Sequence, residues 1–181
     1  MRGGSLPLRN AFLLLFAFQV VFAFCAGTRN VAAEETQGAV FCTWEVFETD
    51  KCASIWLIKR FIDKKATIRI VPKGDPTEGC IPFDTPDAKF RRYHNMSTFE
   101  SLLSHYKLKD PKLVYMGKII HDVEVNAWER KLYDETHKVQ DAVSNILQTS
   151  ENSAKIMDEG CKYFDWFYDH VASEKLLESQ R

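Results

Sequence analysis

The segment His121-Asp122-Val123-Glu124 gathers three metal-competent side chains within four residues. On a helix, His121 and Glu124 are three positions apart and share a face. An imidazole and a carboxylate so placed can hold one metal ion together, as in carboxylate-bridged bundle sites. Asp122 is turned about 100° away and suits an outer position that orients a ligand. The same spacing also describes a solvated helix face with an ordinary histidine. His94, just before a helix start, could join His121 in space, and Glu100 could add an oxygen ligand. Such a set would suit a divalent iron, manganese or zinc ion. Glu100 has a simpler explanation too, because Ser97-Thr-Phe-Glu100 spells a capping box.

A second chemistry is anion binding. Lys51, Lys59, Arg60, Arg91 and Arg92 are the basic residues nearest the predicted core elements. Lys51 falls at a helix N-terminus, where free N–H groups and the helix dipole favour a tetrahedral oxyanion. Surface ion pairs, such as Lys59 with Asp63 at i,i+4, account for the same residues. The sequence contains no nucleophile elbow, phosphate loop or HExxH motif.

The elements that must position these groups follow from pattern and punctuation. Ala39–Phe47 reads as a strand, and Thr67–Val71 as a second one ended by Pro72. Thr49 and Asp50 offer an N-cap to a helix over Lys51–Ile62 that is apolar on most sides, hence central. Pro72–Pro86 is rich in glycine and proline and reads as loop, with a short third strand at Lys89–Tyr93. The capping box starts a helix that runs to about Tyr106. Asp110-Pro111 opens the next, with proline at the first turn. Further helices are predicted over Arg130–Leu147 and about Ser153–Leu176. The expected class is α+β: a mainly helical single domain with a small sheet formed by the N-terminal strands.

The 181 residues carry 24 basic and 25 acidic side chains. Arg2 and Arg9 precede an apolar block, Ala11–Phe24, interrupted only by Gln19 and followed by small residues. These are the parts of a secretory signal, predicted over 1–33 with cleavage after Gly27 or Ala33. The block is shorter than the ~20 residues a spanning helix needs. An uncleaved anchor is the rival reading, and only through it would the chain meet a membrane. Residues 34–38 form a flexible leader to a domain over 39–181. Three arginines and no acids lie within 1–33, so the remainder is mildly acidic, which argues against nucleic-acid binding. Export predicts a periplasmic or secreted location. Four cysteines then remain, Cys42, Cys52, Cys80 and Cys161, with three full pairings open and no CxxC among them.

Several of these segments resemble a known family. Asp50-Lys-Cys-Ala-Ser-Ile-Trp-Leu-Ile-Lys-Arg-Phe-Ile-Asp63 is similar to the DRxAxxWLIRRFID signature of the chromate resistance protein family, the C-terminal domain of ChrB-type proteins. Ile81-Pro-Phe-Asp84 resembles its PFD turn, His94 with Ser97-Thr-Phe-Glu100 its H…CTFE segment, and Ile119-Ile-His-Asp122 its IVHDAD helix. Lys51 stands where the family usually has Arg, which keeps the charge and loses the bidentate fork. Ser97 stands where many members have Cys, and Glu124 replaces the second Asp of HDAD. With the predicted export signal, the chain resembles the exported chromate-resistance members. The resemblance implies a metal site drawn from His94, Glu100, His121, Asp122 and Glu124, or a site for chromate or a related oxyanion around Lys51, Arg60 and Arg91. Asp50, Asp63 and Asp84 fall inside the motifs as further polar candidates. The implied function is an exported protein that binds a metal ion or oxyanion and limits chromate accumulation. The alternatives are a metal-dependent enzyme acting on an oxyanion or small molecule, and a ligand-free sensor or interaction module.

Overall fold

The computed structural model describes residues 38–126 and 128–170; the predicted signal, most of the leader and the last residues of the predicted final helix lie outside them. Three strands, β1 (Val40–Trp44), β2 (Thr67–Val71) and β3 (Ile81–Pro82), form a parallel sheet in the order β2-β1-β3. Five helices follow the same chain order: α1 (Thr49–Leu57), α2 (Thr98–Tyr106), α3 (Pro111–Glu124), α4 (Glu135–Thr149) and α5 (Ser153–Asp169). The α+β class, mainly helical with a small sheet formed by the N-terminal strands, is as expected. Among the described residues no helix is long and apolar enough to cross a membrane.

β1 pairs with β2 from Val40↔Thr67 to Trp44↔Val71, and with β3 at Phe41↔Ile81 and Cys42↔Pro82. β1 is shorter than expected. After Trp44 the chain turns toward α1, and the Lys51 ammonium takes the carbonyls of Trp44 and Val46 that a longer strand would need. Gly38 leads into β1 against the backbone of Lys65, where a Cβ would stand 2.2 Å from the Lys65 carbonyl carbon; only glycine fits that approach.

The third strand is not at Lys89–Tyr93. Ile81–Pro82 takes that place, drawn in by a disulfide between Cys42 and Cys80 whose Cα atoms are 5.9 Å apart. Pro82 lacks the N–H to extend the ladder. Residues 89–93 contribute only isolated bridges, Phe83↔Phe90 and Tyr93↔Met96.

α1 is the central helix. All its residues are buried, and it packs against α2, α3, α4 and α5. Its last turn widens to π geometry over Ile58–Ile62. Trp56 lies parallel to Phe99 (6.5 Å between centroids) and contacts Phe164 at 6.2 Å. Burial of each such large apolar side chain stabilises by roughly 1.5–3 kcal/mol. Thr49 and Asp50 are within α1 rather than capping it; Glu48 is the N-cap, and its side chain makes no cap bond. α2 begins with the predicted capping box: Ser97 Oγ accepts from Glu100 N and Glu100 Oε2 accepts from Ser97 N. Asp110 caps α3 through Lys112 N, with Pro111 at the first turn. α4 starts five residues later than expected, because residues 130–134 form a loop whose amides are held by Asp122.

Candidate functional site

In open parallel sheets, ligands bind outside the carboxyl ends of the strands where the strand order reverses. Here the chain leaves β1 through α1 to reach β2 on one side, and β3 lies on the other. The candidate site is therefore the crevice outside Trp44 and Pro82. It is polar, and it is built from the N-terminal end of α1, the turn after β3, the start of α2 and the end of α3.

Asp50 is fully buried in the first turn of α1. Its carboxylate caps a different helix: Oδ2 accepts from Thr98 N at 2.6 Å and Oδ1 from Phe99 N at 2.8 Å, at the start of α2. Its own amide donates to Glu124 Oε1 at 3.3 Å, joining α1 to the end of α3. Burial pushes the Asp50 carboxyl up to about 8, with the charges of Asp84 and Glu124 adding to the rise and the two amides opposing it. Lys51 is buried beside it. Its ammonium donates to the Trp44 and Val46 carbonyls and stands 3.5 Å from Asp84 Oδ2. Burial pulls this lysine below its usual range, against the opposing charge of Asp84.

Asp84 follows β3 with φ of 52°, the left-handed region that non-glycine residues seldom enter. Its amide donates to Phe90 O at 2.6 Å and its Oδ1 accepts from Thr98 Oγ1 at 2.8 Å, so both neighbours fix the turn. Arg92 reaches over the top. It donates to Glu124 Oε2 at 2.5 Å and to Glu48 Oε1 at 3.2 Å. The Arg92 and Glu48 side chains are 40% and 38% exposed, whereas Glu124 is 9% exposed, so Arg92 has one sheltered partner and one open to water. Burial pushes the Glu124 carboxyl up, with Glu48 adding to the rise and Arg92 opposing it. Arg91 donates to Ala88 O and lies over the Tyr93 ring at 4.6 Å. Glu48, Asp84, Thr85, Pro86, Arg91 and Arg92 line an open cleft of about 210 Å³.

The C-terminal domain of ChrB matches residues 41–171 of this chain. The chain belongs to the ChrB C-terminal domain family. Protein ChrB of Cupriavidus metallidurans is 27% identical to it over 141 residues, covering 77% of this chain and 43% of that protein. The chain thus spans less than half the length of that relative. No solved structure matches.

In this ChrB C-terminal domain, the motif residues do not converge on one point. Asp50, Lys51, Asp84 and Glu124 meet at the crevice, with Arg91 at its rim. Glu100 and His121 form a separate pair, with Glu100 Oε2 2.8 Å from His121 Nδ1. His94 is exposed in the turn closed by Tyr93 and Met96. Asp122 faces the α4 loop, accepting from Thr136 Oγ1, Asn126 Nδ2, Leu132 N and Tyr133 N. Arg60 pairs with Asp165 of α5 through two bonds of 2.8 Å. Asp63 holds the Ala39 and Lys65 amides at the entry to the sheet.

These placements bear on a metal. Among the described residues no three His, Cys, Asp or Glu side chains gather as a ligand set. Glu124 is committed to Arg92 and the Asp50 amide, and Asp122 to four donors. Glu48 is the crevice residue that sequence reasoning missed. Its neighbours are Arg92, far along the chain, and the helix start it precedes, and no local motif signals either role.

Proposed function

We propose that this domain serves chromate resistance by binding a tetrahedral oxyanion, of which chromate is the type, in the cleft at the carboxyl ends of β1 and β3. One observation carries the reading: Arg92 presents a half-exposed guanidinium at the cleft mouth, anchored from below by Glu124 and paired at the mouth with the equally half-exposed Glu48. A planar guanidinium binds oxyanions through paired N–H bonds, and an exposed carboxylate partner costs little to displace. Arg91 adds a second cation on the same wall. Lys51 is not a direct ligand in this reading. Its ammonium is used up by two carbonyls and Asp84, and it holds the β1–α1 turn and the Asp84 turn in register. Membership of the ChrB family supports the link to chromate, and an export segment over 1–33 would put the cleft outside the cytoplasm.

Titration calorimetry of the full chain with chromate and with sulfate tests the reading. Chromate binding that weakens about tenfold or more in Arg92→Gln is the expected result. If the wild type takes up neither anion, the reading fails.

A further inference from the structure

The disulfide joins two sulfurs in unlike surroundings. Cys42 is fully buried in β1, and Cys80 is half-buried just before β3. The β1–β2 register pairs Cys42 with Arg69, which brings the guanidinium to the bridge. Arg69 Nη2 lies 3.0 Å from Cys80 Sγ and also donates to the Glu78 carbonyl, so the cation is held over that sulfur. The Thr77 carbonyl oxygen, 3.1 Å from the same sulfur, is the other polar contact. A cation at this distance favours a thiolate over a thiol. At the free cysteines burial outweighs the nearby cations, Lys51 for Cys52 and Arg60 with Lys59 for Cys161. Cys52 and Cys161 are buried between α1 and α5, and burial pushes both thiols up, Cys52 to about 12.

We propose that Cys42–Cys80 is an exchangeable disulfide, that Cys80 is the reactive sulfur, and that Arg69 is the cation that stabilises it when reduced. The partner class is a small thiol or dithiol. In the step, a thiolate of an external dithiol attacks Cys80 Sγ, the accessible end. The Sγ–Sγ bond breaks and Cys42 leaves, taking a proton. The second thiolate of the reagent then attacks its own sulfur in the mixed disulfide, and Cys80 is released as a thiolate paired with Arg69. The reagent departs as its cyclic disulfide, so two electrons pass from it to the protein.

The test treats the folded full chain with dithiothreitol, pulses with iodoacetamide and reads each cysteine by peptide mass spectrometry. Cys80 is expected to be alkylated about tenfold faster than Cys42, Cys52 or Cys161. Arg69→Gln, at an exposed position, is expected to slow Cys80 about tenfold and leave the others unchanged, the size of effect one neighbouring opposite charge produces. A bridge that opens only in denaturant overturns the proposal. So does a Cys80 rate that is the same with and without Arg69.

Discussion

Asp50 and Asp122 are both buried carboxylates, 0% and 1% exposed, and both hold backbone amides of a later segment. Their surroundings push them in opposite directions. Asp122 meets only donors. Burial raises its carboxyl, and the bonds from Thr136, Asn126, Leu132 and Tyr133 together outweigh that and hold it below the usual range. Burial also raises the Asp50 carboxyl, Asp84 and Glu124 add to the rise, and the Thr98 and Phe99 amides do not offset it. Burial raises both carboxyls, and the difference between them lies in whether donors outweigh burial or like charges add to it. The first environment is that of a finished structural joint. The second keeps excess acid beside Lys51 and Arg92 at a strand-end crevice, a pattern typical of functional sites.

The largest effect expected from this contrast is at the finished joint. Asp122→Ala strands the Leu132 and Tyr133 amides and the Thr136 hydroxyl in a buried place. A loss of about 3–4 kcal/mol is expected, since each orphaned donor costs on the order of 1–3 kcal/mol. Urea unfolding should show a lower midpoint with little change in slope. A loss below about 1 kcal/mol would mean that the joint is not what holds the α3–α4 connection.

Lys51→Met comes next, at about 2–4 kcal/mol, because it leaves the Trp44 and Val46 carbonyls and Asp84 without their cation. The distinguishing readout is local. Amide exchange should rise in residues 44–48 and 83–86 and stay unchanged around α4. Uniform loosening of the whole domain would erase the distinction between the crevice and the rest of the core.

The two carboxylates should also mark opposite limbs of the stability–pH curve. Asp50 keeps its proton in the folded state up to about 8, whereas the unfolded chain releases it near 3.8. Stability is therefore lost as pH rises between those values, by up to about 1.4 kcal/mol per unit. Asp122 has a depressed folded value, so its contribution is present above the unfolded value and is lost as pH falls through the folded one. Asp50→Asn should flatten the neutral limb, and Asp122→Asn the acid limb. Curves for the two variants that run parallel to the wild type would break the comparison.

The sequence made legible what is local. Ser97 and Glu100 announce a capping box four residues long, and Thr67–Val71 carries its β-branched residues and a proline stop in one stretch. Asp50 was legible as a motif residue and as a cap, but the helix it caps starts 48 residues later, so spacing suggested the wrong one. The same holds for β3. Its two residues are a strand only because β1 and the Cys42–Cys80 bridge recruit them, and Lys89–Tyr93 has the better local pattern. The predicted site puts His121 and Glu124 on one face of the helix, with Asp122 as the outer residue that orients a ligand. The end of α3 separates them, sending Glu124 to the crevice and Asp122 to the α4 loop.

The smallest effect on stability is the most informative about the crevice. Glu48 and Arg92 form an exposed pair, and pairs of that kind contribute about 0–1 kcal/mol. Glu48→Gln should therefore leave urea unfolding within about 0.5 kcal/mol of the wild type. Its electrostatic consequence is larger than its structural one. Arg92 keeps Glu124 beneath it and loses the carboxylate that competes at the cleft mouth. An oxyanion no longer has to displace Glu48, so chromate affinity should rise several-fold in calorimetry, and more at low salt than at high salt, because an exposed charge is screened. Affinity that falls in Glu48→Gln would instead make Glu48 part of the ligand's cradle. The crevice would then favour a ligand with a donor or positive group on that side, and the acidic surplus around Asp50 would be the feature that selects it.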